Sequence, residues 1–425
     1  MTIDVVIPYF DSPERLASIL MALNAQVDPV DGRELEHLSV IVADDASTVE
    51  PVTSASRHPV HVVRLDEPGY HAAAARNRGA EAGDAPIVVF LDGDTVPSPT
   101  YVSTLVAPIV GGTAGLTTGH RRHALLDGLS PSEVAAFVAD PDARRLLGEP
   151  GWLADGLRWT DSLRSGTPDV FQYVISAVLA VDRAVFDDVG GFDERFDSYG
   201  GEDWEFAYRC WNAGWDFLHV ASAVAFHDGP DVEGRPADPV AKTIENLRIV
   251  DLVPASPTRL HGVRYSVPDI EIALTLRAGD LRTNAIGVTS ILASSRSDLR
   301  LRLDGDDHDV SALMRLVADD RVIAGPQEPN RSARCHVTMS APVELAPSGL
   351  ARLCAGLTDG VVSRRRTEVD GVSVEARSVR AFARAGRDAH AAERCEHVAA
   401  ADVGVSAIGD DDLATWSRRR RTQMS

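Results

Sequence analysis

The sequence predicts two α/β units, a larger one with a mostly parallel sheet and flanking helices, followed by a smaller one. Three observations carry this. Over the first 100 residues short apolar runs alternate with amphipathic stretches, the pattern of βαβ units. A proline-containing stretch, Val253 to Pro268, separates that region from the rest. Beyond it the alternation resumes and echoes the first copy. A length of 425 residues suits two or three domains.

The elements follow in order. Ile3 to Pro8 is an apolar run closed by proline, a first strand. Pro13 to Ala25 sets Leu16, Ile19, Leu20 and Leu23 at helical spacing. Leu38 to Ala43 and Val60 to Leu65 read as the next two strands. Ala72 to Ala82 reads as a helix stopped by Gly83, and Ile87 to Leu91 as a fourth strand. Residues 120–167, with Trp152, Trp159 and several Gly and Pro, read as an insertion over the sheet. Order returns over Tyr173 to Asp182 and again over Phe217 to Phe226. Asp228 to Pro239 is an exit loop and Ala241 to Leu252 a helix. The expected boundaries are a unit over 1–252, a linker over 253–268, a C-terminal α/β unit over 269–415 and a disordered basic tail over 416–425. Ile270 to Leu276 opens the C-terminal unit. There Ser290-Ile291-Leu292 echoes Ser18-Ile19-Leu20, and each precedes a strand ending in paired acids, Asp306-Asp307 and Asp44-Asp45. This is the pattern of a degenerate duplication.

Composition excludes several classes of function. With 42 Lys plus Arg against 63 Asp plus Glu, the formal charge is −21. Nucleic acids and anionic membranes demand a cationic face, so neither is an expected partner. Four scattered cysteines form no CxxC pair, which fits a reducing, cytoplasmic setting. No apolar run approaches the roughly 18 residues of a membrane span, and the first residues lack a signal-peptide pattern.

Ligands of parallel sheets gather at the carboxyl ends of the strands. The residues there are Tyr9 and Asp11, then Asp44 and Asp45, then Asp92 and Asp94. In Asp92-Gly93-Asp94, positions i and i+2 at a strand end point the same way, so the two carboxylates can share a cation. Gly93 lets backbone approach a ligand. Two carboxylates suit Mg2+ or Mn2+, which stabilise a diphosphate leaving group. The same tripeptide can equally be a solvated turn, and Leu-Asp-Gly-Asp recurs at 303–306. Gly200-Gly201-Glu202-Asp203-Trp204-Glu205 opens a helix faced by Trp204, Tyr208 and Trp211, with Gly214 at its stop. Acids in a first turn are favoured with or without a function. The paired glycines permit close approach of a ligand. His227, at the end of a strand, is either structural or a third metal ligand.

Taken together, Val5-Val6-Ile7-Pro8-Tyr9, Ala43-Asp44-Asp45-Ala46-Ser47, Ala75-Arg76-Asn77-Arg78-Gly79, Asp92-Gly93-Asp94, Gly190-Gly191-Phe192-Asp193-Glu194, the 200–205 motif and His227 resemble family 2 glycosyltransferases of the GT-A fold, over about residues 1–230. The 190–205 segment is also similar to β-galactosyltransferases and bacterial glycosaminoglycan polymerases. The resemblance implies a GT-A first unit and a second that is accessory or a degenerate GT-A-like half. It implies that Pro8, Tyr9 and Asp44 or Asp45, with Asp11 nearby, hold the base and ribose of a nucleotide-sugar.

 The donor expected is a UDP-sugar. Arg76 would lie near the donor diphosphate. Asp92 and Asp94 would bind donor ribose and the metal, Mn2+ or Mg2+, with Asp94 the direct ligand and His227 completing the shell. Asp203 would be the base that deprotonates an acceptor hydroxyl for inverting attack, with Glu202 bonding sugar or acceptor. Trp152, Trp159, Gly201 and Trp204 are the candidates for acceptor contact, the tryptophans being stacking platforms or core. The acceptor class stays open among a glycan, a lipid-linked molecule and a natural product. The second unit would bind acceptor or pair copies of the chain. Two alternatives are a catalytically silent nucleotide-sugar-binding scaffold and a two-site polymerase using the C-terminal unit. A dinucleotide-dependent oxidoreductase is disfavoured, since no GxGxxG follows the first strand. One departure from the family pattern is Ala46, where a glycine is usual in the turn after the second strand.

Overall fold

The computed structural model describes residues 2–66, 71–197, 200–230, 239–260, 262–325, 328–358, 362–387, 394–410 and 412–424. The chain divides into two compact units, one of residues 1–211 and 215–249, the other of 212–214 and 250–425.

The N-terminal unit runs β1 (Ile3–Tyr9), α1 (Pro13–Asn24), β2 (Leu38–Asp44), β3 (Val60–Arg64), α2 (Ala72–Glu81), β4 (Ile87–Leu91), β5 (Thr95–Pro97) and α3 (Tyr101–Val110). It continues through β6 (Leu116–Ala124), α4 (Pro131–Ala139), α5 (Gly151–Trp159), β7 (Val178–Asp182), α6 (Arg183–Val189), α7 (Glu202–Asn212), β8 (Phe217–Asp228) and α8 (Pro239–Leu252). Among the described residues its strands form one sheet in the order β3-β2-β1-β4-β7-β6-β8-β5. The β1–β2, β2–β3, β1–β4 and β6–β8 ladders are parallel, so the sheet is mixed but mostly parallel, as the first four strands require. Both faces are covered. Val5 and Ile7 of β1 join one apolar core, while Val6 packs under α2 so closely that a Cβ on Gly79 would lie 2.3 Å from its Cγ1. Strands buried on both faces read as unbroken apolar runs, which is why β1, β2 and β4 were legible.

The second unit runs β9 (Ile270–Thr275), α9 (Leu281–Leu292), β10 (Leu299–Asp304), α10 (Asp307–Leu316), β11 (Val322–Ala324), β12 (Cys335–Met339), β13 (Glu344–Leu345) and α11 (Gly349–Cys354). It ends with β14 (Arg364–Val369), β15 (Val372–Ser378), α12 (Val379–Arg387), β16 (Cys395–His397), β17 (Val405–Ser406) and α13 (Leu413–Met424). Its main sheet has the order β11-β10-β9-β12-β15-β14-β16, which repeats β3-β2-β1-β4-β7-β6-β8 of the first unit. Strand directions repeat too: β12–β15 and β14–β15 are antiparallel and β14–β16 parallel, like β4–β7, β6–β7 and β6–β8. The second unit is thus a GT-A-like half in topology. The sequence echo pointed to it from positions that do not correspond, since Ser18 lies mid-helix in α1 and Ser290 in the last turn of α9.

Several expectations are revised. Of Tyr173 to Asp182, only Val178–Asp182 is strand; a 3-10 turn, Pro168–Tyr173, precedes it. The sheet reaches through β6 into the segment expected as insertion. Within the expected linker, Arg259 donates to the carbonyls of Val250, Asp251 and Val267 and pairs with Asp298 at 2.8 Å. The supposed disordered tail is helix α13. Trp416 and Arg420, four apart and so on one face, are buried, and Arg420 donates to the carbonyls of Leu345 and Ser290.

Candidate active site

The carboxyl ends of β1, β2 and β4 open into a cleft lined by Pro8, Tyr9, Asp45, Arg76, Gly93 and Asp94, among others. Gly93 is there because β4 ends against β1: a Cβ on it would sit 2.8 Å from the carbonyl oxygen of Pro8. The two acids after β2 have different fates. Asp44 is buried beneath the cleft, accepting from Ser47 N at 2.9 Å and from Arg64 Nη1 at 2.5 Å. Asp45 lines the cleft and accepts from the backbone and ring of His71, each at 2.9 Å. Ala46 keeps the glycine-type turn, with φ 52°. Asp11, expected among the donor-side residues, is turned elsewhere: its carboxylate accepts from Val49 N at 2.7 Å and Thr48 Oγ1 at 2.9 Å, clasping the turn after β2. Tyr9 donates its hydroxyl to Val49 O at 3.0 Å.

Arg76 is the hub. It is 3 % exposed, and its guanidinium reaches Asp92 Oδ1 at 2.8 Å and Glu202 Oε1 at 3.0 Å, over the Phe192 ring. Asp92 pairs with Arg76 while lining the same cleft as Asp94; among the described residues no group of three or more His, Cys, Asp or Glu side chains is placed to hold a metal ion. Asp94 instead meets His227, Oδ2 to Nε2 at 3.3 Å. The β5–β8 and β6–β8 ladders set His227 opposite both Thr95 and His123. His227 Nδ1 lies 3.3 Å from Gly229 O, which turns Nε2 toward Asp94. Burial opposes ionisation of Asp94, but His227 and Arg15 outweigh it and hold the carboxyl at about 2. A carboxylate and an oriented imidazole nitrogen are the donor types a hard or borderline divalent cation takes, so these two residues fit the metal the resemblance implies.

Asp203 stands in the first turn of α7. Gly200 and Gly201, both at φ 94°, deliver the chain into that turn, and a Cβ on Gly201 would lie 2.8 Å from the Phe196 ring. Two opposing tendencies act on Asp203. The helix start, the Trp204 and Ser176 N–H groups and Arg76 favour the carboxylate, whereas burial and the neighbouring Glu202 disfavour it. Burial dominates, and the carboxyl rises to about 7. Glu202 Oε2 is buried with no hydrogen-bond partner among the described residues, an acceptor facing the same region. Two buried latches hold the motif. Asn77 bonds both backbone groups of Phe192, and Arg209 joins Glu205 to the carbonyls of Val189 and Gly191.

Residues 4–137 match the family model for glycosyl transferase family 2, and residues 166–227 match that for the N-terminal domain of galactosyltransferase. The N-terminal unit is thus similar, over residues 4–137, to family 2 glycosyltransferases. Chondroitin synthase of Escherichia coli is 28% identical over 56% of this chain and 36% of its own length. Validoxylamine A glucosyltransferase of Streptomyces hygroscopicus subsp. jinggangensis is 30% identical over 49% of this chain and 50% of its own. The chain thus spans half or less of these relatives' lengths. Staphylococcus aureus TarS 1–349 in complex with UDP overlaps at a TM-score of 0.41 and 14% identity, over 59% of this chain and 64% of that one.

The N-terminal unit also has a cleft residue that sequence reasoning missed. Arg15, in the first turn of α1, lines the cleft and pairs with Asp228 at 3.1 Å. Its signal was available: the first turn after β1 lies at the carboxyl edge of the sheet. Trp152 stacks on Tyr173, with centroids 6.4 Å apart, and Trp159 is 62 % exposed. Trp204 is half-buried beside Asp203, and Gly201 is buried. No helix among the described residues is long and apolar enough to cross a membrane.

Proposed function

We propose that the chain transfers a sugar from a nucleotide-diphosphate sugar, a UDP-sugar in the first instance, to an acceptor hydroxyl with inversion, Asp203 being the base. The observation that carries this is the placing of Asp203 in the first turn of α7, next to the Glu202 that Arg76 ties to Asp92 of the cleft; burial there raises its carboxyl to about 7, which suits proton abstraction near neutral pH. Pro8, Tyr9 and Asp45 would receive the nucleoside at the strand ends. Arg15 and Arg76 supply the cleft's positive charge near the diphosphate. Asp94 and His227 would hold Mn2+ or Mg2+, which when bound offsets the charge of the departing diphosphate. Asp203 takes the acceptor proton onto its carboxylate while Arg76 and the Ser176 N–H keep it oriented, and Glu202 Oε2 accepts from a substrate hydroxyl.

The register of the second unit favours one site rather than two. Ile3 pairs with Leu38 and Ile87, and Ile270 pairs likewise with Leu299 and Cys335. Counted along these ladders, Ser340-Ala341-Pro342 stand where Asp92-Gly93-Asp94 stand in the first unit. The Leu-Asp-Gly-Asp at 303–306 falls at the end of the second strand, in the place of Val42 to Asp45. We therefore read the second unit as an accessory half, one that binds acceptor or a second copy of the chain. The reading as an enzyme is tested by incubating UDP-, GDP- and dTDP-sugars with the protein, with and without Mn2+. Slow, Mn2+-dependent release of the nucleotide is expected, and release from none of them would leave only a binding scaffold.

A further inference from the structure

We propose that the narrow slot between α5 and the β6–β8 strands receives the acceptor and selects a small uncharged one over an anionic chain. The proposal rests on Asp203 being the base. One wall is Leu153, Ala154 and Leu157 of α5; the other is Thr118, His120 and His219; Tyr173 and Ile175 close the end. One segment ties the slot to the base: Ile175 lines the slot, and the next residue, Ser176, gives its backbone N–H to the Asp203 carboxylate.

The wall is built, not a loose flap. Gly156 lies so tightly on Tyr173 that a Cβ would come within 2.0 Å of the ring, and Trp152 stacks on the same ring. Immediately after α5, Asp161, Ser162 and Leu163 take φ of 50°, 55° and 71°, a left-handed run that non-glycine residues rarely adopt. That turn is pinned: Ser162 N donates to Leu157 O at 2.7 Å, and Ser162 O accepts from His219 N at 2.9 Å. Strain of this kind persists where the surroundings dictate it, and clamps for ligands are a common place.

The lining sets the ligand's chemistry. Five of the named side chains are apolar or aromatic, suited to the face of a sugar ring or an aglycone. Charge is balanced, with Arg121 against Glu149, and Glu149 lies 3.0 Å from His120 Nε2. Burial, then His120, pushes the His219 ring down to about 4, so it is neutral at pH 7 and offers a hydrogen bond rather than a charge. A carboxylate entering here would lose its water without gaining a surplus cation.

A matched pair of probes decides the matter: phenyl β-glucoside and phenyl β-glucuronide, which differ by one charge. Saturation-transfer NMR on the full chain should show the glucoside binding and the glucuronide binding at least about tenfold more weakly. Ala154→Trp, which fills the slot from an exposed position, and Leu153→Ser, which removes apolar wall without adding bulk, should each abolish the glucoside signal. If either glycoside becomes a sugar acceptor, Ala154→Trp lowers the ratio of transfer to donor hydrolysis. Equal or tighter binding of the glucuronide, binding of neither probe, or an undiminished signal in both variants overturns the proposal. Binding is read without donor turnover, so a silent hydrolysis assay counts against the donor reading and not against the slot.

Discussion

The two sheets share strand order and direction for seven strands, yet their second faces differ. In the first unit α2 lies across β1 and β2, bringing Arg76 and Asn77 with it. In the second, the described part of the connection from β11 to β12 contains no helix. Its sheet alternates accordingly. Ile270, Ile272, Leu299 and Leu301 face the core, while Glu271, Arg300, Arg302 and Thr338 face the other way. Arg300 pairs with Glu271 at 3.2 Å, and Arg366 and Arg377 both clasp Glu375. The same topology thus supports either a two-sided apolar core with a buried cation or a one-sided apolar core whose other face holds ion pairs around the buried Glu271 and Glu375. On the proposed reading of one catalytic and one accessory half, a helix and three residues after the fourth strand are where the two differ.

Substitutions in matched places test that contrast. Asp203→Asn should lower transfer by about 10³-fold, the range of a lost general base. The wild-type rate should climb as pH rises through about 7, when Asp203 ionises, and the residual rate of the variant should lack that limb. Because the folded pKa is raised, folding holds an extra proton between about pH 4 and 7 and loses stability over that window as pH rises. Asp203→Asn should therefore gain melting temperature over wild type at pH 8 and not at pH 4. Next in size, Asp94→Ala should abolish Mn2+-dependent nucleotide release. Asp306→Ala, in the second Leu-Asp-Gly-Asp, should leave release intact and cost only about 1 kcal/mol, as the loss of an N-cap accepting from His308 N. Loss of release in Asp306→Ala would mean that the second unit takes part in donor turnover.

Arg76→Met should destabilise the chain by about 3 kcal/mol, since it strands two carboxylates against a buried position. Arg366→Met should cost at most about 1 kcal/mol, since Arg366 is exposed and Arg377 still holds the buried Glu375. Urea unfolding of both variants checks the pair, and equal losses would refute the contrast between the two faces. The smallest effect runs the other way. Ala46 holds a left-handed φ, so Ala46→Gly should stabilise by about 1 kcal/mol, measurable in the same titration.

Much of the first unit was legible because strands buried on both sides leave continuous apolar runs and because its motifs sit at strand ends. Pairing within the site was not legible. Spacing placed Asp92 and Asp94 on one side of a strand end, but Arg76 arrives from a different element and turns Asp92 toward itself. Asp11 and Asp44 looked like cleft residues by position, and the turn after β2 uses both. Whether the helix start or burial would govern Asp203 depended on distances to Glu202, Arg76 and Ser176 that no sequence spacing contains. In the second unit, alternation along β10 showed a strand, but its Leu-Asp-Gly-Asp could be told from the one at 91–94 only by counting across ladders. Helix α13 was missed because four consecutive arginines suggest a solvated tail, whereas Arg420 is buried through bonds to carbonyls distant in sequence.

Arg76 divides one positive charge between Asp92 on the sheet and Glu202 beside the base. A ligand that draws Asp92 away leaves that charge undivided next to Glu202 and Asp203, which favours the ionised base. By thermodynamic reciprocity, ionising Asp203 then favours the same ligand. On the proposed assignment, occupancy of the cleft and readiness of Asp203 to take a proton would be two readings of one equilibrium, linked through Arg76.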